Sequence, residues 1–233
     1  MSQYRIADLK IDMSCSGRTA DQAAAYASAW SGAPDLSIRV DPRAVLAANP
    51  HLESEDMAEY LASGERFAVG LLAHQGVMLH ASAVELDGRC VCFSAPPGVG
   101  KSTMTGRWER LFGARVLNDD KPALRRVGGQ WRAFGTPWSG KHDKSLGISA
   151  PLSAICFLFR GDENAVEPLT PAQALPLFMS QTIFRLGRAD LMRLLDLADE
   201  LLGEVPLYRV TCRNDDSAAV FTKNALFGEN AGR

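Results

Sequence analysis

The sequence predicts a mixed α/β fold of the α+β kind, with helices packed around a mixed sheet, on three observations. An apolar strand, Cys90-Val91-Cys92-Phe93, runs into Ser94-Ala95-Pro96-Pro97-Gly98-Val99-Gly100-Lys101-Ser102-Thr103, a glycine-containing loop that opens a helix. Asp87-Gly88 separates the strand patterns Val77 to Leu86 and Arg89 to Ser94, the strongest short hairpin signal, so an antiparallel hairpin leads into the loop. Strand-like runs and amphipathic helices then alternate from Ala114 to Leu226. Most doubly wound nucleotide domains feed the loop strand onward through a helix, so the hairpin points to a less common architecture.

The loop reads as a phosphate cradle spanning Pro97, Gly98, Val99, Gly100, Lys101, Ser102 and Thr103. Gly98 and Gly100 let backbone N–H groups turn inward around an anion, and Lys101 brings a point charge to the outer phosphates. Ser102 offers a hydroxyl to Mg²⁺, and the first helical turn adds its partial positive charge. Ala95 stands where the usual pattern has its first glycine, yet Ala95, Pro96, Pro97 and Gly98 are small or rigid enough for a tight loop. The competing reading is a chance glycine-rich turn.

Composition narrows the classes. The chain has 233 residues, 46% hydrophobic and 22% charged, the usual balance of a soluble domain with a full core. Lys plus Arg number 25 against 27 Asp plus Glu, which gives no reason to expect nucleic acid or an anionic membrane as partner. Five scattered cysteines read as thiols in a reducing compartment, and Cys90 and Cys92 lack nearby ligands to complete a metal set. No signal-type apolar core opens the chain, and the longest apolar run, Phe67 to Leu79, is interrupted by His74 and Gln75. The expectation is a cytoplasmic protein.

In chain order, residues 4 to 12 alternate as a half-buried strand, and Ala23 to Trp30 suggests a short helix. Leu36 to Val40 alternates again and ends at the turn signal Asp41-Pro42. Ser54 is a helix N-cap before Glu55 to Leu72, with Gly64 as a potential break. Ser102 to Phe112 forms a helix with Met104, Trp108 and Leu111 on one face, closed by Gly113. The strand Ala114 to Leu117 delivers Asn118-Asp119-Asp120, and Gly128-Gly129 turns a second hairpin between Ala123 to Val127 and Gln130 to Phe134. A polar loop, Gly135 to Lys144, precedes a buried-type strand, Leu152 to Arg160. Pro171 to Phe184 is helical in pattern with an interruption at Pro176, and Asp190 to Leu202 is amphipathic through Leu191, Leu194, Leu195, Ala198, Leu201 and Leu202, closed by Gly203. Leu207 to Cys212 and Ser217 to Leu226 complete the chain as strand and helix. The implied division is an N-terminal elaboration over 1–75, a catalytic domain over 76–227, and a frayed tail over 228–233.

Two aspartates at a strand end behind a phosphate loop have a chemical purpose. One can hold the Mg²⁺ that Ser102 also binds, and the other can take a proton from an attacking hydroxyl. Carboxylates so close would raise one pKa unless Mg²⁺ and Lys101 offset the repulsion. The bland alternative is a solvated turn before Pro122.

His80-Ala81-Ser82-Ala83-Val84-Glu85-Leu86-Asp87-Gly88, the loop Pro97 to Ser102, and Val116-Leu117-Asn118-Asp119-Asp120 together resemble the catalytic domain of HPr kinase/phosphorylase, over residues 77 to 125. That family shares its phosphate-loop fold with ATP-dependent phosphoenolpyruvate carboxykinase, so the resemblance implies that fold here. It also implies roles: Asp119 as the base that activates a serine hydroxyl, Asp120 and Ser102 as metal residues with Asp119 beside them, Lys101 on the phosphates, and His80 next to the transferred phosphoryl group. The chain looks more like the shorter HPr-kinase-related proteins of bacteria, some similar to peptide-tailoring kinases of lasso-peptide pathways. Thr136-Pro137-Trp138-Ser139-Gly140 resembles a recurring segment of that group, expected near the acceptor with Lys141 or His142 on phosphate; Trp138 reads equally as a core residue.

The resulting expectation is an ATP- and Mg²⁺-dependent kinase acting on a serine-type hydroxyl of a peptide, protein or small molecule, with no nucleic acid or membrane partner. Family kinases assemble, which leaves a homo-oligomer open. Two alternatives stand beside it: a nucleoside triphosphatase, and a non-catalytic nucleotide-binding scaffold of a biosynthetic complex.

Overall fold

In a computed structural model, which describes residues 2–182 and 186–228, the chain begins with a reversal. Ala7 and Asp8 both take left-handed backbone, with φ of 51° and 60°, so residues 4 to 12 form a hairpin of β1 (Ser2–Ile6) and β2 (Leu9–Met13) instead of one strand. Alternation continues through a two-residue turn, so periodicity alone does not mark it. Next, α1 (Gly17–Ala23) and a 3-10 turn (Ala24–Tyr26) lie earlier than the helix expected over Ala23 to Trp30, because Tyr26 is drawn into the core and ends the helical run. β3 (Leu36–Ile38) adds parallel to β2.

Asp41-Pro42 starts a helix rather than only a turn. The Asp41 carboxylate accepts from the Arg43 and Ala44 amides, and Pro42 takes the first position of α2 (Pro42–Ala48), where its missing N–H costs nothing. Ser54 caps α3 (Glu55–Leu72) through the Met57 amide at 3.1 Å. Gly64 does not break this helix. A Cβ there would lie 2.9 Å from Trp138 Cδ1, so the glycine admits an indole against the helix backbone.

The run Val77 to Leu86 divides at Leu79-His80 into β4 (Gly76–Met78) and β5 (Ala81–Leu86). Asp87 and Gly88, with φ of 52° and 77°, turn β5 into β6 (Arg89–Ser94) as expected. α4 (Lys101–Phe112) ends on Gly113 in left-handed backbone, although Leu111 faces solvent rather than the core. β7 (Arg115–Asn118) is followed by the hairpin of β8 (Ala123–Val127) and β9 (Gln130–Phe134). β10 (Ser149–Arg160) is longer than its sequence signal, and β11 (Ala165–Pro168) had none. α5 (Pro171–Met179) runs through Pro176 and stops before the expected end at Phe184, which lies outside the described residues. α6 (Arg188–Glu204) continues past Gly203; it buries Leu194, Leu197, Ala198, Leu201 and Leu202 and leaves Leu191 and Leu195 exposed. β12 (Leu207–Cys212) and α7 (Asp216–Phe227) complete the order; of the expected tail, residues 229–233 lie outside the described residues.

The result is a mixed α/β protein. β1, β2 and β3 form one sheet, and the other nine strands form a second, in the order β4-β8-β9-β10-β6-β5-β7 with β12 on β10 and β11 on β12. β10 pairs antiparallel with β9 through its first residues and parallel with β6 and β12 further along. One core fills the space between the large sheet and α5 and α6, and another lies beneath α4 and α7. A third joins the N-terminal sheet to α3 and Trp138. All five cysteines are free thiols. Among the described residues no helix is long and apolar enough to cross a membrane.

Trp108 fixes α4 on the sheet: it is fully buried, with the rings of Phe93, Phe112 and Phe227 edge-on at centroid distances of 5.4, 5.7 and 5.6 Å. Trp108→Ala is expected to cost about 3–5 kcal/mol, measured as a lower urea midpoint with an unchanged slope.

Candidate functional site

Antiparallel pairing of β5 decides what can meet the loop. Ala81 at the start of β5 lies opposite Ser94 at the end of β6, and Ala83 lies opposite Asn118 at the end of β7. The start of one strand and the ends of its two neighbours therefore share an edge, which brings together His80, the loop after Ser94, and Asp119-Asp120. The Ser94 hydroxyl donates to the His80 carbonyl at 3.0 Å, and the Ser82 hydroxyl donates to the Asp119 carbonyl at 2.8 Å.

In the loop, Gly98 and Gly100 have φ of 80° and 133°, backbone that side chains rarely adopt, and a Cβ at either would meet nothing within 4 Å. The glycines are thus required by torsion rather than crowding. Lys101, the first residue of α4, is 8% exposed and donates from Nζ to the Ala95 carbonyl at 2.7 Å. Burial holds its ammonium below its ordinary pKa, with the Asp120 charge opposing. Gly98, Gly100, Lys101, Ser102 and Thr103 line a cavity of about 350 Å³ whose far wall is Lys141 and His142. Val99 faces a second cavity, and Pro97 lies on the exposed turn.

The neighbouring carboxylates are separated by the turn that carries them. Buried Asn118 accepts on Oδ1 from the Asp120 amide at 2.8 Å and the Lys121 amide at 2.6 Å, while its Nδ2 donates to the Thr136 carbonyl at 2.9 Å. Asp119 turns inward, 5% exposed; its Oδ1 accepts from the Gly140 amide at 2.5 Å, and its Oδ2 is buried with no hydrogen-bond partner among the described residues. Asp120 turns towards His80, with Oδ1 3.2 Å from Nε2, and towards Lys121 Nζ at 3.8 Å. Burial works against ionisation of Asp120, but the His80 hydrogen bond and the charges of Lys121 and Lys101 outweigh it and hold the carboxyl below the usual carboxylate range. The raised pKa expected for one of the two carboxyls is not found at Asp120, which its own partners hold low. On its other side the His80 ring meets Gln181 Oε1 at 2.8 Å, and Gln181 Nε2 donates to the Ser180 carbonyl and hydroxyl, so the amide presents oxygen and His80 Nδ1 donates.

The segment Thr136–Ser145 is held by the first third of the chain. The Trp138 ring is buried and stacks on Phe67 at 4.8 Å, and its Nε1 donates to Ser63 Oγ at 3.0 Å. The Tyr60 hydroxyl donates to the Ser139 carbonyl at 2.5 Å, and Arg18 Nη2 donates to the Gly140 carbonyl at 3.3 Å and Asp143 Oδ1 at 2.9 Å. The Asp119 amide donates to the Lys144 carbonyl at 3.0 Å. Trp138 is therefore a core residue, and the same segment carries Lys141 and His142 to the loop cavity.

Several residues of this arrangement carried no sequence signal. Gln181 orients His80, and Arg18 grips the segment from more than a hundred residues away. Gly140 is marked in the sequence only as part of the segment Thr136 to Gly140, and its amide binds Asp119. Arg160, at the end of β10, donates to the carbonyls of Gly98 and Val99. Asn118 adjoins the aspartates in sequence, and its side-chain turn is the pattern that would have marked it.

Comparison with known proteins gives three findings. A family model described as SynChlorMet cassette protein ScmC matches residues 67–186. Among solved structures, the HPr(Ser) kinase/phosphatase from Coxiella burnetii is similar over 64% of this chain and 93% of that one, at 9% identity and a TM-score of 0.38. No curated protein matches the chain.

Because the Asp120 carboxyl is held low, its contribution to folding is complete above the unfolded-chain value of about 4 and is lost as pH falls through the folded value. His80→Ala removes the largest opposing partner, so carbon-detected NMR titration should show the Asp120 carboxyl titrating at higher pH than in the unmodified protein.

Proposed function

This chain belongs to the family of the SynChlorMet cassette protein ScmC, and we propose that it is a nucleotide-dependent phosphotransferase that phosphorylates a hydroxyl group. The observation that carries this reading is Asp119 Oδ2: a buried carboxylate oxygen with no partner among the described residues, on the residue after β7, at the sheet edge it shares with a strand–loop–helix cradle whose torsions and lysine suit phosphate. A buried carboxylate is costly unless it is hydrogen-bonded or paired. Here one oxygen is satisfied and the other is left to receive a proton.

The donor is a nucleoside triphosphate such as ATP, with its phosphates on the backbone of Gly98 to Ser102 and on Lys101. The acceptor is an alcohol of the serine type, on a peptide, a protein or a small molecule. Asp119 Oδ2 takes the hydroxyl proton as the acceptor oxygen bonds to the terminal phosphorus and the bond from that phosphorus to the bridging oxygen breaks, leaving the nucleoside diphosphate. Gly140 N–H keeps the base from rotating, and Lys101 meets the charge on the outer phosphates. His80, ordered by Gln181 and Asp120, lies beside the transferred group.

Asp120 and Ser102 suit Mg²⁺, a hard cation that takes few protein oxygens when phosphates and water supply the rest. The fit rests on an Asp120 held in its ionised form, and Asp119, whose Oδ2 is the base, stands beside the metal residues. When bound, Mg²⁺ would neutralise charge on the phosphates. The fold family implied is the HPr kinase-like phosphate-loop type. Residues 1–75 then serve as an elaboration that steadies Thr136–Ser145 against a catalytic domain over 76–227.

Asp119→Asn is expected to lower phosphate transfer by about 10²–10⁴-fold while leaving ATP affinity nearly unchanged, and Lys101→Ala to weaken both. Transfer and ATP binding by calorimetry are measured on the same preparations. Full transfer by Asp119→Asn would remove the base, and phosphate release with no labelled acceptor would favour a triphosphatase.

A further inference from the structure

A second cavity opens on the other flank of the phosphate loop, and its chemistry differs from that of the first. It has a volume of about 650 Å³, within the range of small-molecule sites, and shares Gly98, Gly100 and Thr103 with the cavity that faces Lys141 and His142. Its outer walls are the ends of β10 and β12 with the segments that follow them. Met104, Leu158 and Phe159 contribute apolar surface, and Asp162 is the acidic residue of the lining.

Three arginines face this space, and their partners differ. Arg107 pairs with Asp216 at 3.4 Å and donates to Asn214 at 3.1 Å; Arg213 pairs with Asp215 at 3.0 Å. Arg160 has no ion pair among the described residues: its guanidinium is held by the carbonyls of Gly98 and Val99. A cation satisfied only by carbonyls of the phosphate loop keeps its full charge for an anion lying on that loop.

We infer that this cavity takes the nucleoside of the phosphate donor, with Arg160 on the phosphate nearest the ribose. The inference rests on the phosphotransferase reading of the loop and gives it a direction. Guanidinium planes of Arg107 and Arg213, with the edge of Phe159, suit a planar base, the Asp162 carboxylate accepts from ribose hydroxyls, and Arg160 meets the first phosphate. The phosphate chain then crosses the loop so that its terminal group points to the Lys141 and His142 side, on the segment whose Gly140 amide binds Asp119.

The test compares ATP with inorganic tripolyphosphate by calorimetry on the full chain. Asn214 is exposed, and Asn214→Trp fills the cavity without touching the loop. This variant is expected to weaken ATP by about tenfold or more while tripolyphosphate stays within about twofold of the unmodified protein. Arg160→Gln is expected to weaken both ligands by about tenfold, because both place a phosphate there. ATP binding unchanged in Asn214→Trp, or an equal loss of both ligands, would overturn the assignment of the cavity. If the unmodified protein bound neither ligand, the phosphate-loop reading itself would fall with it.

Discussion

The hydrogen bond from the Gly140 amide to Asp119 Oδ1 is the constraint on which the arrangement depends. It crosses from the end of β7 to a segment twenty residues on, at 2.5 Å, and sets which oxygen of the carboxylate is occupied. Gly140 has little room for anything else, since a Cβ there would stand 3.3 Å from both Asp119 oxygens. The amide is only as well placed as its segment. That segment is fixed by contacts with α1 and α3, in which a stacked indole, a tyrosine hydroxyl and an arginine each hold a different residue of it. The N-terminal third therefore fixes the segment that binds Asp119.

A second constraint is topological. Because β5 runs antiparallel to both β6 and β7, a residue just before β5 meets residues just after its two neighbours. His80, the loop after Ser94 and Asp119-Asp120 come to one sheet edge for that reason alone. Asp120 is held low by His80, Lys121 and Lys101 against its burial, while Asp119 takes its hydrogen bond from Gly140.

Local chemistry made much of this legible in the sequence. The glycine torsions, the Asp87-Gly88 and Gly128-Gly129 turns and the Ser54 cap depend on neighbouring residues, and each signal matched the backbone found. The failures have a common cause. Ala7-Asp8 turns without glycine, Gly64 sits unbroken in a helix because Trp138 occupies the space beside it, and Leu191 is exposed although it fits the amphipathic pattern. In each case tertiary packing or an unusual torsion decides, and neither is written in periodicity. At the candidate site, spacing singles out Asp119, Asp120, Lys101 and Ser102, whereas the contacts of Gln181, Arg18 and Arg160 cross long sequence separations and leave no local signal, and Gly140 is marked only as part of its segment.

Deprotonation of an acceptor alcohol by Asp119 for phosphoryl transfer, as proposed, has a direct test: intact mass spectrometry of serine-containing peptides, HPr and free serine incubated with the protein, ATP and Mg²⁺. The expected result is the gain of one phosphate on a hydroxyl of one acceptor. ATP consumed to free phosphate with every acceptor unmodified, across a broad set of such alcohols, would contradict it.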